Sequence, residues 1–183
     1  MGVFDQIKAL FRSEPEPLSD LPRSMAPERR SKERVNAREG TRVLIIDDSK
    51  TVVMAIKKFL RSAGYETFEA FDAETGLSSM REQTPELIFL DIMLPGMNGF
   101  AALRAIRHDP LTRDIPVIMM SGNEQAMEQF YGLRIGADDF MKKPFARDEL
   151  FFRIERLLDN NCVPRRVKSG SDTAPEHSAA PAA

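Results

Sequence analysis

The chain has 183 residues, 42% hydrophobic and 30% charged, which excludes a wholly disordered, a collagen-like and a membrane-embedded chain. A net charge of -2 argues against binding nucleic acid through overall charge. The only cysteine, Cys162, excludes an internal disulfide or cysteine-based zinc site, and with no secretory signal the chain is expected in the cytoplasm. His108 and His177 are isolated and are interpreted as surface residues.

The two ends of the chain differ in composition from its middle. Apolar residues recur at helical spacing in residues 1–12, which predicts a short amphipathic helix. This helix is either a docking segment, for a partner, the membrane surface or the cell pole, or a frayed terminus that folds back on the domain. Residues 13–40 contain six acids and six bases and predict a disordered linker. Residues 160–183, rich in Ala, Pro and Ser, predict a disordered tail.

Residues 41–159 predict a folded α/β domain. Three continuous apolar runs, at 43–46, 87–90 and 117–120, are typical of parallel strands that are buried on both faces. More polar segments at 65–70 and 139–141 predict half-exposed edge strands. Helical stripes alternate with these strands, so the pattern predicts a doubly wound, five-stranded parallel sheet with five helices.

Polar side chains follow the predicted strands at their carboxyl ends. Asp47 and Asp48 follow the first run, and Asp91 follows the middle one. Ser121 ends the next run, and Lys143 follows the last strand. Because ligands bind at the carboxyl ends of strands in such sheets, these five side chains are expected to converge. Three adjacent carboxylates repel one another unless a divalent cation joins them, and an all-oxygen site favours Mg²⁺.

These residue types are typical of phosphoryl-transfer chemistry. Asp91, the lone acid of its strand, is the candidate nucleophile that would form an aspartyl phosphate, which leaves Asp47 and Asp48 to hold the metal. Lys143 supplies a compact positive charge and Ser121 a hydrogen-bond donor for the phosphoryl oxygens.

Four motifs in this order resemble the successive motifs of a response-regulator receiver domain, the CheY-like family. They are IIDDS at 45–49, LDIMLPGMNG at 90–99, MSG at 120–122 and KKPF at 142–145. The resemblance covers residues 42–159 and implies a flavodoxin-like sheet with the strand order 2-1-3-4-5.

The resemblance also implies a reaction. A sensor histidine kinase would donate a phosphoryl group to Asp91. Mg²⁺ would be held directly by Asp48, Asp91 and the backbone carbonyl of Met93, and through water by Asp47. Because Met93 is apolar where some relatives carry a polar residue, slow loss of the phosphoryl group is expected. No enzymatic activity beyond this self-phosphorylation and slow autodephosphorylation is implied, and no other cofactor.

A switch is implied as well. Ser121 would turn to bond the phosphoryl group, Lys143 would pair with it, and Phe140 would turn inward behind Ser121. The Lys143-Pro144 peptide bond is expected to be cis. The responsive surface would comprise the helix at 124–134, the strand at Phe140 and the last helix, which starts at Arg147.

The output is expected to be a protein–protein interaction without nucleic acid, because the flanks lack the patterned core of a DNA-binding module. Segments 47–51, 91–95 and 132–138 are similar to stand-alone regulators of the chemosensory systems that control type IV pili and twitching motility, which implies a pilus motor or polarity partner. Two alternatives stay open. One is a phosphorylation-independent scaffold or phosphate sink acting through residues 1–12. The other is a phosphatase, which the lack of a second acid at Met93 disfavours.

Overall fold

The computed structural model describes residues 34–123, residue 125 and residues 136–166. The predicted helix at 1–12, the outer parts of the predicted linker and tail, and almost all of the predicted helix at 124–134 lie outside these ranges. The described elements are β1 (Arg42–Ile46), α1 (Lys50–Arg61), β2 (Glu66–Ala70), α2 (Ala73–Gln83), β3 (Leu87–Asp91), α3 (Gly99–His108), β4 (Val117–Ser121), β5 (Asp139–Lys142) and α4 (Arg147–Glu155). None of these helices is long and apolar enough to cross a membrane.

The strands form one sheet in the order β2-β1-β3-β4-β5, with every described pairing parallel. This confirms the predicted sheet. Successive residues of the central strands enter two separate cores, since strand side chains alternate between faces. Leu44 and Ile46 lie in the core under α2 and α3, whereas Val43 and Ile45 lie in the core under α1 and α4. Each fully buried aliphatic side chain contributes about 1.5–3 kcal/mol to this two-sided packing.

Side chains at the helix starts fix where three helices begin. Ser49 caps α1, Asp72 caps α2 and Asn98 caps α3, each accepting a hydrogen bond from a backbone N–H of the first turn. At the start of α3, Gly99 lies so close to the preceding strand that a Cβ would be 2.1 Å from the Asp91 carbonyl oxygen. Only glycine allows α3 to begin at this distance from β3.

The edge strand β5 is more buried than its sequence predicts. Asp139, Phe140 and Met141 are all buried, although within the described part of the sheet the strand has a neighbour on one side only. Phe140 packs into the core under α2 and α3, and Met141 packs into the core under α1 and α4. Arg153 of α4 and Arg156, just after it, reach the Asp139 carboxylate at 3.1 and 3.2 Å. The expectation of a half-exposed strand was therefore wrong for β5.

The ordered part of the chain extends beyond the predicted limits of 41 and 159. On the amino-terminal side, the Ala37 N–H donates to the Tyr65 hydroxyl at 2.9 Å, and the Arg38 N–H donates to the Cys162 carbonyl at 3.0 Å. On the carboxyl-terminal side, Leu158 pairs with Pro164 as an antiparallel bridge. The predictions of disorder for 34–40 and 160–166 thus need correction, because hydrogen bonds hold these segments and Ala37 packs into the core, without an apolar stripe that the sequence pattern would reveal.

Candidate functional site

The five predicted site residues follow or end strands at the same edge of the sheet. Asp47 and Asp48 follow β1, and Asp91 and Ser121 are the last residues of β3 and β4. Lys143 comes one residue after β5, and its N–H donates to the Ser121 carbonyl at 2.8 Å. Parallel pairing brings these strand ends together, so the structure confirms the predicted convergence at one edge of the sheet.

Three carboxylates form the centre of the site. Ligand atoms of Asp47, Asp48 and Asp91 all lie within 4.8 Å of one another. Asp47 is completely buried and Asp91 is 3% exposed, whereas Asp48 is exposed to solvent. The cluster is therefore closed on its inner side and open to water at Asp48.

Lys143 brings a positive charge to this cluster. Its Nζ lies 2.6 Å from Asp47 Oδ2 and 3.1 Å from Asp91 Oδ1. The Lys143-Pro144 peptide bond is cis, as the motif implied. One ammonium thus serves two buried carboxylates, with a third carboxylate beside them.

The environment of Asp47 shows the cost of this arrangement. Burial raises the pKa of the Asp47 carboxyl above its usual range. The hydrogen bond and positive charge of Lys143 and the N–H of Ser49 lower this pKa, but only in part, and the nearby charge of Asp91 raises it further. A second cation at the site would relieve this penalty.

The donor chemistry fits a hydrated divalent cation. Carboxylate oxygens are the ligands that Mg²⁺ prefers, and Mg²⁺ usually keeps several waters, for which the exposed Asp48 side leaves room. The excess of carboxylates over ammonium groups supplies the charge that such a cation neutralises. The residues present therefore fit Mg²⁺.

Ser121 and Phe140 lie on neighbouring strands at this edge. Ser121 is 1% exposed, and its Oγ accepts a hydrogen bond from the Asn123 N–H at 3.1 Å. Phe140 pairs with Met119 in the sheet and is 3% exposed, packed in the core under α2 and α3. Its ring already points into the protein.

Sequence reasoning missed a groove beside the cluster. It has a volume of about 300 Å³ and combines apolar and amide side chains: Ile92, Met93, Leu94, Asn98, Phe100, Asn123 and Gln125. The Met93 side chain is 58% exposed, so one flank of the approach to Asp91 is apolar. The sequence does contain one clue to this groove. Asn98-Gly99 is a turn-forming dipeptide that marks the start of α3, and Asn98 lines the groove.

Comparison with known proteins gives concordant matches. The model of the response regulator receiver domain matches residues 43–155. The phosphate regulon transcriptional regulatory protein PhoB of Pseudomonas aeruginosa is 37% identical over 136 residues, which are 74% of this chain and 57% of that protein. The DNA-binding response regulator MtrA of Mycobacterium tuberculosis is 35% identical over 132 residues, 72% of this chain and 57% of that protein. The chain thus spans little more than half the length of these relatives.

Solved structures show the same fold. A response regulator of Chloroflexus aurantiacus has a TM-score of 0.60 at 31% identity, with 64% of this chain and 97% of that chain covered. The chemotaxis protein CheY4 of Vibrio cholerae has a TM-score of 0.59 at 27% identity, with 65% and 99% covered. Both matches cover almost the whole of the compared chain.

Proposed function

Since the chain belongs to the response-regulator receiver family, we propose that Asp91 accepts a phosphoryl group from a sensor histidine kinase. Receiver domains take phosphoryl groups from such kinases, bind Mg²⁺ at an acidic pocket, and act as signal transducers rather than as enzymes. The observation that carries the proposal is the position of Asp91 in the carboxylate cluster, with Lys143 Nζ 3.1 Å from its Oδ1.

The proposed reaction uses an Asp91 carboxylate oxygen as the nucleophile. This oxygen attacks the phosphorus of the phosphohistidine, the P–N bond breaks, and its electron pair returns to the imidazole, which takes a proton from solvent. Bound Mg²⁺, held by Asp48, Asp91 and the Met93 carbonyl directly and by Asp47 through water, would neutralise charge on the phosphoryl oxygens. The groove lined by Ile92 and Met93, the two residues after Asp91, would be the approach for the donor.

The phosphoryl group would act on the switch through two side chains. Ser121 turns to donate its hydroxyl, and Lys143 shifts its ammonium from Asp47 toward the new charge. Each of these charged hydrogen bonds contributes about 1.5–3 kcal/mol. Shifting the ratio of active to inactive conformation from 1:99 to 99:1 needs roughly 5.5 kcal/mol. Partner binding completes the shift, and Phe140 carries the change by packing because it has no hydroxyl.

The mass of the intact protein tests the phosphoacceptor. After incubation with Mg²⁺ and acetyl phosphate we expect a single phosphoryl adduct, and none with chelator or in Asp91→Asn. Asp114→Asn is the matched control, because its side chain is 74% exposed and outside the cluster. An adduct that persists in Asp91→Asn, or no adduct in the wild type, would contradict the proposal.

Decay of the same adduct tests the slow release proposed for this chain. After removal of the donor, we expect the wild-type adduct to outlast that of Met93→Asn severalfold, because the exposed apolar Met93 side chain offers no hydrogen bond to an attacking water. Equal lifetimes would show that Met93 does not slow the hydrolysis.

We further propose that the output is a phosphorylation-dependent contact with another protein, in chemotaxis-like or twitching-motility control, from a cytoplasmic location with recruitment to the membrane or pole. Its support is the likeness of segments 47–51, 91–95 and 132–138 to such regulators.

The names of the relatives PhoB and MtrA favour a second candidate, transcription control. The fluorescence anisotropy of a labelled, mixed-sequence DNA duplex separates the two candidates. The duplex is mixed with protein that has or has not been treated with acetyl phosphate. DNA binding that depends on phosphorylation would support transcription control.

A further inference from the structure

The chain forms an ordered hook, residues 156–166, just beyond the part that matches the family model. The Asp159 carboxylate organises it, accepting hydrogen bonds from the N–H groups of Asn161 and Val163 at 2.9 and 3.0 Å. Its second oxygen accepts from Arg165 Nε at 2.9 Å, and the Arg165 N–H donates to the Leu157 carbonyl at 2.7 Å. These bonds turn the chain back against the end of α4.

The hook ends with Arg166 against the loop that precedes β5. The Arg166 side chain is only 16% exposed, and its Nε lies 3.9 Å from Asp138 Oδ1. Its guanidinium packs over Gly136, where a Cβ would lie 3.2 Å from Arg166 Nη2. A cation from the carboxyl-terminal extension thus reaches a buried carboxylate of the receiver domain.

Asp138 holds the amino ends of β4 and β5 together. Its side chain is completely buried, and Oδ2 accepts from Arg107 Nη2 at 2.9 Å and from the Val117 N–H at 2.8 Å. The Asp138 N–H in turn donates to the Val117 carbonyl at 3.0 Å. Arg107 also donates to the Gly136 and Ile115 carbonyls, both at 2.7 Å, so the loops on either side of β4 are joined.

The opposite ends of these two strands carry the phosphoryl ligands. Ser121 pairs with Lys142, and Lys143 follows directly. A slip of one residue between β4 and β5 would move Lys143 about 3.3 Å relative to Ser121, more than the length of a hydrogen bond. The alignment of Ser121 and Lys143 therefore depends on the β4–β5 register, which the Asp138 bonds help to hold at the amino end.

We propose that Arg166 is a positioning residue for the phosphoryl site, acting through Asp138 on the β4–β5 register, and that this gives the chain beyond residue 166 a mechanical connection to Asp91. The proposal rests on the proposed function of Asp91. Because coupling between sites is reciprocal, a partner that draws Arg166 away from Asp138 would lower the reactivity of Asp91, and phosphorylation would tighten the hook.

Hydrogen exchange of the full chain tests the positioning step without any phosphorylation. In Arg166→Gln we expect amide exchange in peptides covering 117–121 and 139–143 to accelerate about fivefold or more, the lower range of coupling between linked sites. Arg166→Lys keeps the charge and should restore part of the protection. Arg81→Gln is the matched control, because its side chain is 75% exposed and lies on α2, outside the hook. Unchanged exchange in Arg166→Gln would overturn the proposal.

The rate of phosphorylation by acetyl phosphate tests the consequence. We expect Arg166→Gln to lower the maximal rate about fivefold. The Mg²⁺ concentration for half-maximal rate should stay unchanged, since Asp48 follows β1 and Asp91 ends β3, away from the β4–β5 pair. If Arg166 only stabilised the fold, Arg166→Gln would lower the melting temperature but leave the phosphorylation rate of the folded protein unchanged. That result would also overturn the proposal. If Arg166→Gln does not fold, Asp159→Asn loosens the hook instead and should move both readouts in the same direction.

The two proposals fail in different ways. A wild-type chain that takes no phosphoryl group refutes the function of Asp91, while hydrogen exchange still decides whether Arg166 sets the register. A wild-type chain that is phosphorylated, with Arg166→Gln identical to it in exchange and rate, refutes only the role of Arg166.

Discussion

The two ends of the sheet treat their carboxylates in opposite ways. At the carboxyl end, Asp47 and Asp91 share the ammonium of Lys143, and Asp48 lies beside them. At the amino end, three carboxylates each have two guanidinium groups within 4 Å. The pairs are Asp138 with Arg107 and Arg166, Asp139 with Arg153 and Arg156, and Glu86 with Arg38 and Arg42.

This difference indicates which end is built to bind a ligand. The amino end has its negative charge matched by the chain itself, so a bound cation has little to gain there. Among the described residues, the carboxyl end keeps an excess of negative charge, which a bound cation can neutralise. Arginine also suits the closed end, because its fork bonds a carboxylate and nearby carbonyls together, whereas a lysine ammonium is a point charge that re-pairs readily.

The largest expected effect comes from breaking a matched pair. Arg107→Met should lower the free energy of unfolding by roughly 3–5 kcal/mol, because it leaves the buried Asp138 carboxylate short of a partner. Equilibrium urea unfolding measures this, and Mg²⁺ should not restore the loss because the damage is at the far end of the sheet. Arg104→Met is the control, since Arg104 is exposed on the same helix.

A loss below about 1 kcal/mol for Arg107→Met would contradict the comparison. It would mean that Arg166 alone compensates the negative charge of Asp138, and that the amino end has more positive charge than its carboxylates need. Recovery of the lost stability on adding Mg²⁺ would count against the comparison too, because it would couple cation binding to the closed end.

The sequence was sufficient for the sheet and for most of the site. A strand with a continuous apolar run, such as 87–90, is buried on both faces when helices pack on both sides of the sheet. Because ligands bind at the carboxyl ends of the strands in such sheets, Asp47, Asp91 and Lys143 are then expected to lie together. These predictions rest on local pattern and on one topological rule. Both are visible in a single chain.

The charge pairs of the amino end were not predictable in the same way. Arg107 and Asp138 are 31 positions apart, and neither stands out among the many charged residues of this chain. The order of residues 34–40 was hidden too, since hydrogen bonds and long-range pairs of Arg34 and Arg38 make most of their contacts, with Ala37 as a single small core residue. Composition reports apolar burial, and these segments are held by other forces.

The smaller expected effect concerns the open end and has the opposite sign. Asp47→Asn should stabilise the metal-free protein at neutral pH by about 1 kcal/mol, or roughly 4 °C in melting temperature. The reason is that burial raises the pKa of Asp47, so ionising this carboxyl in the folded protein has a cost. Thermal unfolding in chelator measures the change.

The pH dependence gives this prediction its sign. A carboxyl whose pKa is raised on folding contributes stability that is present below the unfolded pKa of about 3.9 and is lost as the pH rises through the folded pKa. Asparagine does not titrate, so the advantage of Asp47→Asn should be small near pH 4 and grow toward pH 7, while the exposed Asp114→Asn control stays flat. Added Mg²⁺ should favour the wild type and shrink the difference. If Asp47→Asn were instead less stable at pH 7 in chelator, the Lys143 pair would outweigh the cost of burial, and the carboxyl end would be as well matched in charge as the amino end.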